Sequence, residues 1–147
     1  MRQKNVAPSG KAGPKRAPRA VAHAGLMSLL ALSACAPAGT AAAGAAQEFH
    51  QAVMAGHLSE ACSLLQAETR KATARTGGPG SCENQLQGAH LPDAGKSLHT
   101  EIYGRNAVVE FEKDTVFLTA SEAGWKITAA GCTPQGEAPY TCEVGGK

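Results

Sequence analysis

Five cysteines carry the most versatile chemistry in this 147-residue chain, at positions 35, 62, 82, 132 and 142. An odd set cannot close completely into disulfides within one molecule. Cys35 ends a long N-terminal stretch without acidic residues, whereas the other four are spread through a segment of mixed composition. Setting Cys35 aside leaves four, which admit three pairings. The shorter loops favour Cys62 with Cys82 and Cys132 with Cys142, each stabilising by about 2–3 kcal/mol when unstrained. No Cys-x-x-Cys pair occurs, so the ligand spacing usual for zinc is missing.

Acid–base chemistry has one candidate location. In the strand register proposed below, His99 and Glu110 face each other with Glu101 and Glu112 nearby, a set that could exchange protons or weakly hold a metal. On a wetted sheet face such a set is ordinarily a solvated cluster. His50 and His57 are seven residues apart, the spacing of one helix face, but Gly56 interrupts the run and both are expected at the surface. Serine chemistry lacks a Gly-x-Ser-x-Gly elbow, and Gly77-Gly78-Pro79-Gly80 is a helix breaker without the Lys-Ser/Thr pair of a phosphate cradle. Arg70, Lys71 and Arg75 complement the carbonyl end of a helix, and could also approach anionic lipid or cell-wall polymer. No catalytic residue, metal ligand or cofactor is therefore assigned, and a non-catalytic role is expected.

The leader has three parts. Arg2, Lys4, Lys11, Lys15, Arg16 and Arg19 make a basic start, and the apolar run Gly25–Leu32 follows. That run falls well short of the roughly 20 apolar residues that span a bilayer. Leu32-Ser33-Ala34-Cys35 closes it, and all four positions resemble a bacterial lipobox. The resemblance implies that the Cys35 sulfur is acylated with diacylglycerol, that residues 1–34 are a signal peptide, and that Cys35 begins the mature protein. Two acyl chains anchor stably where one binds marginally. The expected location is the extracytoplasmic face of the cell membrane, with the membrane itself as the first partner.

Removing the leader inverts the charge. Taking its six basic residues from the fourteen leaves eight against twelve acidic ones, a charge of −4 with His neutral. The basic pI thus belongs to a discarded segment, and nucleic acid is excluded as a partner.

Residues 35–46 are Ala-, Gly- and Thr-rich and read as a flexible tether, its later half available to a following helix. The remaining residues, 47–147, suffice for one α+β domain that benefits from disulfide staples. Phe49, Ala52 and Val53 recur at helical spacing before Gly56. A second helix is expected from a Ser59 cap to about Ala74, and a third from a Ser81 cap over Cys82–Gln87. Beyond them the period becomes alternating. Strands are expected at 97–103, 107–112, 115–120 and 125–130, giving a four-stranded antiparallel meander. Pairing Ile102 with Ala107, Phe111 with Val116, Leu118 with Ile127 and Ala120 with Trp125 puts Leu98, Ile102, Val109, Phe111, Val116, Leu118, Trp125 and Ile127 on one face under the helices. The opposite face carries the polar residues together with Tyr103, Val108 and Phe117, an exposed apolar group and the candidate binding surface.

Helices packed on one face of a curved meander resemble the cystatin-like, or NTF2-like, arrangement. Local details, among them Gly104-Arg105-Asn106-Ala107 and Gly124-Trp125-Lys126-Ile127-Thr128-Ala129-Ala130-Gly131-Cys132, are similar to small secreted actinobacterial lipoproteins. There the segment from Gly131-Cys132 to Pro139-Tyr140-Thr141-Cys142 would form a disulfide-closed tail. Enzymes of the NTF2-like type usually place Asp, His or Tyr between sheet and helices, whereas here the inner face is aliphatic and aromatic. The resemblance implies the fold and leaves the chemistry open; the expected role is a non-catalytic accessory or interaction domain at the cell envelope with an envelope protein as partner, the alternative a domain binding a small ligand in the sheet–helix hollow, with an enzyme third.

Overall fold

A computed structural model describes residues 38–76 and 81–146. The proposed signal peptide, the acylation site Cys35 and the Gly77–Gly80 breaker lie outside them. Four helices, α1 (Ala38–Met54), α2 (Leu58–Leu64), α3 (Ala67–Thr76) and α4 (Cys82–Gly88), precede five strands. The strands are β1 (Ser97–Tyr103), β2 (Asn106–Phe111), β3 (Thr115–Ser121), β4 (Gly124–Gln135) and β5 (Ala138–Gly145), in an antiparallel sheet ordered as in sequence.

The fold is α+β, with one more strand than expected. β4 continues past Ala130, turns at Gly136-Glu137 and returns as β5, so the expected tail is a strand. The disulfides are Cys62–Cys82, joining α2 to α4, and Cys132–Cys142, joining directly opposed residues of β4 and β5.

Residues 38–46 are not a tether but the first half of α1. Alanine is the strongest helix former, and a stripe of small side chains lets a helix lie close to its support. Ala42, Ala46, Phe49 and Ala52 are buried against the sheet. The expected second helix is broken in two. Leu65 is extended, bridges to Ile127, and hands the chain on through a bond from Gln66 N–H to Ile127 C=O of 2.8 Å. The N-cap of α2 is His57, not Ser59, because Gly56 with φ 74° ends α1 just before it. Ser81 does occupy the N-cap of α4, where its hydroxyl bonds to the Glu83 carboxyl and, with the Glu83 backbone N–H, lowers the pKa of that group.

The sheet register corrects one pairing. Val116 faces Val109 rather than Phe111, and the tight turn is Glu112-Lys113, closed by a bond from Phe111 N–H to Asp114 C=O of 2.8 Å. A two-residue slip preserves side-chain parity, so Val109, Phe111, Val116, Leu118 and Ile127 still share the buried face. Two members of that face leave the core. A bulge between Ser97 and His99 displaces Leu98, which is 66% exposed, and Ile102 near the end of β1 is 38% exposed. Trp125 is half-buried against the core edge.

Candidate functional site

The outer face of the sheet brings Val108 and Phe117 together as direct cross-strand partners. Glu101 lies on the other side of Val108, and Ala129 on the other side of Phe117. Tyr103 is one same-face position further along β1 and is 58% exposed. What the sequence did not expose is Tyr140, whose ring meets Phe117 edge to face at 5.1 Å. β5 thereby covers part of the apolar group, and the exposed remainder shifts toward β1.

His99 does face Glu110 in register, but its Nε2 approaches Glu101 Oε1 at 3.3 Å, with both side chains half exposed. The Tyr103 hydroxyl donates to the other oxygen of Glu101. Glu112 leaves this group altogether and accepts from Lys96 N–H at 3.3 Å. The four residues thus do not converge, and no group of three or more His, Cys, Asp and Glu arranged to hold a metal occurs among the described residues. The result is a polar row of His99, Glu101 and Tyr103 along β1, aligned by strand alternation.

The two helical histidines part company. His57 is exposed and sits 3.6 Å from Glu60. His50 is buried, its ring edge-on to Phe49 and Phe111, with Nε2 2.8 Å from Asp114 Oδ2. Side-chain exposure is 6% for His50 and 0% for Asp114. The contact is at ion-pair distance without hydrogen-bond alignment, and neither ring nitrogen has a hydrogen-bond partner. Asp114 is held independently: its Oδ2 accepts from Gly131 N–H at 3.1 Å and its Oδ1 from Cys132 N–H at 2.8 Å. Two bonds from backbone N–H groups account for the buried Asp114 side chain in structural terms. This pair was invisible in the sequence, where His50 and Asp114 lie 64 positions apart. His50 borders a cleft of about 260 Å3 shared with Gln47, Gln51, Met54, Asp93 and Gly95.

A larger groove of about 830 Å3 opens between α3, α4 and the β4–β5 hairpin. Gln66, Thr69, Thr73, Arg75, Gln85 and Glu143 supply its polar lining. Of the basic group on α3, Arg75 reaches this groove, while Lys71 pairs with Glu68 at 3.2 Å. Compared with family models, with curated proteins and with solved structures, the chain matches none.

Proposed function

We propose that this chain is an exported, lipid-anchored protein of the extracytoplasmic face of the cell membrane, and that its domain is a non-catalytic accessory module acting by protein contact along β1. The carrying observation is the state of that strand. Six of its seven residues are exposed, and Leu98, Ile102 and Tyr103 are large and apolar. β1 is also a sheet edge. Unpaired N–H and C=O groups along such an edge accept an incoming strand, and flanking apolar side chains add buried area.

The anchor draws its support from Leu32–Cys35 and the basic leader, together with the even set of cysteines that remains. Two closed disulfides suit an oxidising compartment. Helices gathered against one side of a meander support a cystatin-like or NTF2-like domain of the kind found in small actinobacterial lipoproteins. Intact mass of the membrane-extracted protein should show a diacylated N-terminus at Cys35. A photo-crosslinker placed at Ile102 should form polypeptide adducts in the native envelope. Adducts from the β5 side with none from β1 would refute the contact surface.

The groove of about 830 Å3 favours a second reading, a small-ligand-binding domain. Pockets of that size with a few polar groups are typical of ligand sites. Native mass spectrometry of gently purified protein would then reveal a retained small molecule.

A further inference from the structure

We propose that the partner of β1 is a second copy of this chain, the two β1 strands pairing antiparallel about a two-fold axis at Thr100 to make one continuous sheet. The proposal rests on the interaction role given to β1 above and names its occupant.

The strand is complementary to itself. With Thr100 opposite its own copy, His99 faces Glu101 twice and Leu98 faces Ile102 twice. An imidazole thus meets a carboxylate twice on the outer face, and exposed aliphatic side chains meet beside them. The neighbouring two-fold registers, centred on His99 or Glu101, would oppose like groups instead. Backbone polarity agrees with the Thr100 register. The two-residue turn Gly104-Arg105 closes on the pair Tyr103–Asn106, so Tyr103, Glu101 and His99 direct their backbone groups to β2. Ile102 and Thr100 direct theirs outward. The bulge at Leu98 releases that side chain from the core and marks where the pairing run ends.

Placement of the helices supplies an independent argument. A two-fold axis relating antiparallel neighbours stands perpendicular to the sheet, so both copies of α1 fall on the same face. α1 also begins over the axis: a Cβ built on Gly39 would lie 3.8 Å from Thr100 Cγ2. Its opening residues, Ala38-Gly39-Thr40-Ala41, are small and leave room for a second helix. Cys35 precedes Ala38 by three residues. Both copies of α1 therefore begin beside the axis on the same face of the sheet. Confinement to a membrane raises the effective concentration of each copy for the other.

The test uses the full acylated chain in detergent micelles, with light scattering for mass and thermal melts to verify folding. Wild-type protein should be dimeric. His99→Glu and Glu101→Lys should each weaken self-association by about tenfold, because each replaces two attractive oppositions in the dimer. Mixing the two variants should restore association, since the new carboxylates of one then face the new ammonium groups of the other. Rescue by mixing cannot arise from contacts within one chain. A folded wild-type monomer, or a dimer indifferent to both substitutions, overturns the proposal. If the wild type is monomeric yet a photo-crosslinker at Ile102 joins a different envelope polypeptide, the second copy is overturned while the role of β1 stands. No adduct of either kind overturns both.

Discussion

The two edges of the sheet are finished in opposite ways. β5 is bonded covalently to β4 through Cys132–Cys142, buries Val144, and ends at Gly145, which packs against Thr69 of α3 and the Thr128 carbonyl. β1 has neither a disulfide nor a buried residue. It touches the helix layer near Thr100 and otherwise presents charge, hydroxyl and large apolar groups to solvent. A bare edge is ordinarily a hazard that proteins blunt. One edge is stapled while the other is left open, with an imidazole and a carboxylate placed about its centre.

The contrast can be broken from the closed side first. Asp114→Ala would strip both acceptors from the Gly131 and Cys132 N–H groups and leave His50 without its neighbour, at a cost of about 2–4 kcal/mol in urea denaturation. A wild-type midpoint would mean that this carboxylate does not secure the β4–β5 side. Gly145→Ala comes next. A Cβ there would approach the Thr128 carbonyl oxygen at 2.0 Å from a backbone of φ 69°, and should cost more than about 2 kcal/mol. Gly104, at φ 61° in the β1–β2 turn, has open space around the same atom, so Gly104→Ala should cost only about 1 kcal/mol. Equal losses would erase the difference between the edges.

On the open edge itself, Leu98→Lys should change the stability of the dissociated monomer by no more than about 0.5 kcal/mol, since within one chain the side chain is already in water. A larger loss by thermal melting would place Leu98 in the core after all. The smallest effect is expected at α4, beside the β5-side groove. The lowered pKa of Glu83 means that its charged form is favoured by folding, so the gain is complete above the ordinary carboxylate range and disappears as pH falls through the lowered value. Melting temperatures of wild type and Glu83→Gln should therefore differ slightly near neutral pH and converge in acid.

Side-chain parity was legible in the sequence because it survives errors of two residues, and the Val116 pairing slipped by that amount without moving any residue to the wrong face. Location within a face was not legible. Parity assigns Leu98 inward, but only the bulge decides that nothing covers it. Residues 38–46 lacked large apolar groups and so resembled a linker, although alanine suits both a helix and close packing. β5 escaped notice because Pro139, Cys142 and Gly145 blur alternation, and its pairing depends on a partner strand that extends beyond Ala130. That Val108 and Phe117 share a face followed from parity, while their direct opposition came only with the corrected register. The Tyr140 cover and the His50–Asp114 contact join residues far apart in the chain. Neither has a local signal. A buried carboxylate whose partners are backbone N–H groups leaves no trace in residue types.

The Cys132–Cys142 bond also makes the tip of its hairpin dispensable. Gly136 and Glu137 form an exposed turn enclosed by that bond. Scission of the main chain there would not release β5, because a covalent path around the cut persists through sulfur. The β5 residues that line the large groove would stay in place in a two-chain form, and the cut would be detected only after reduction.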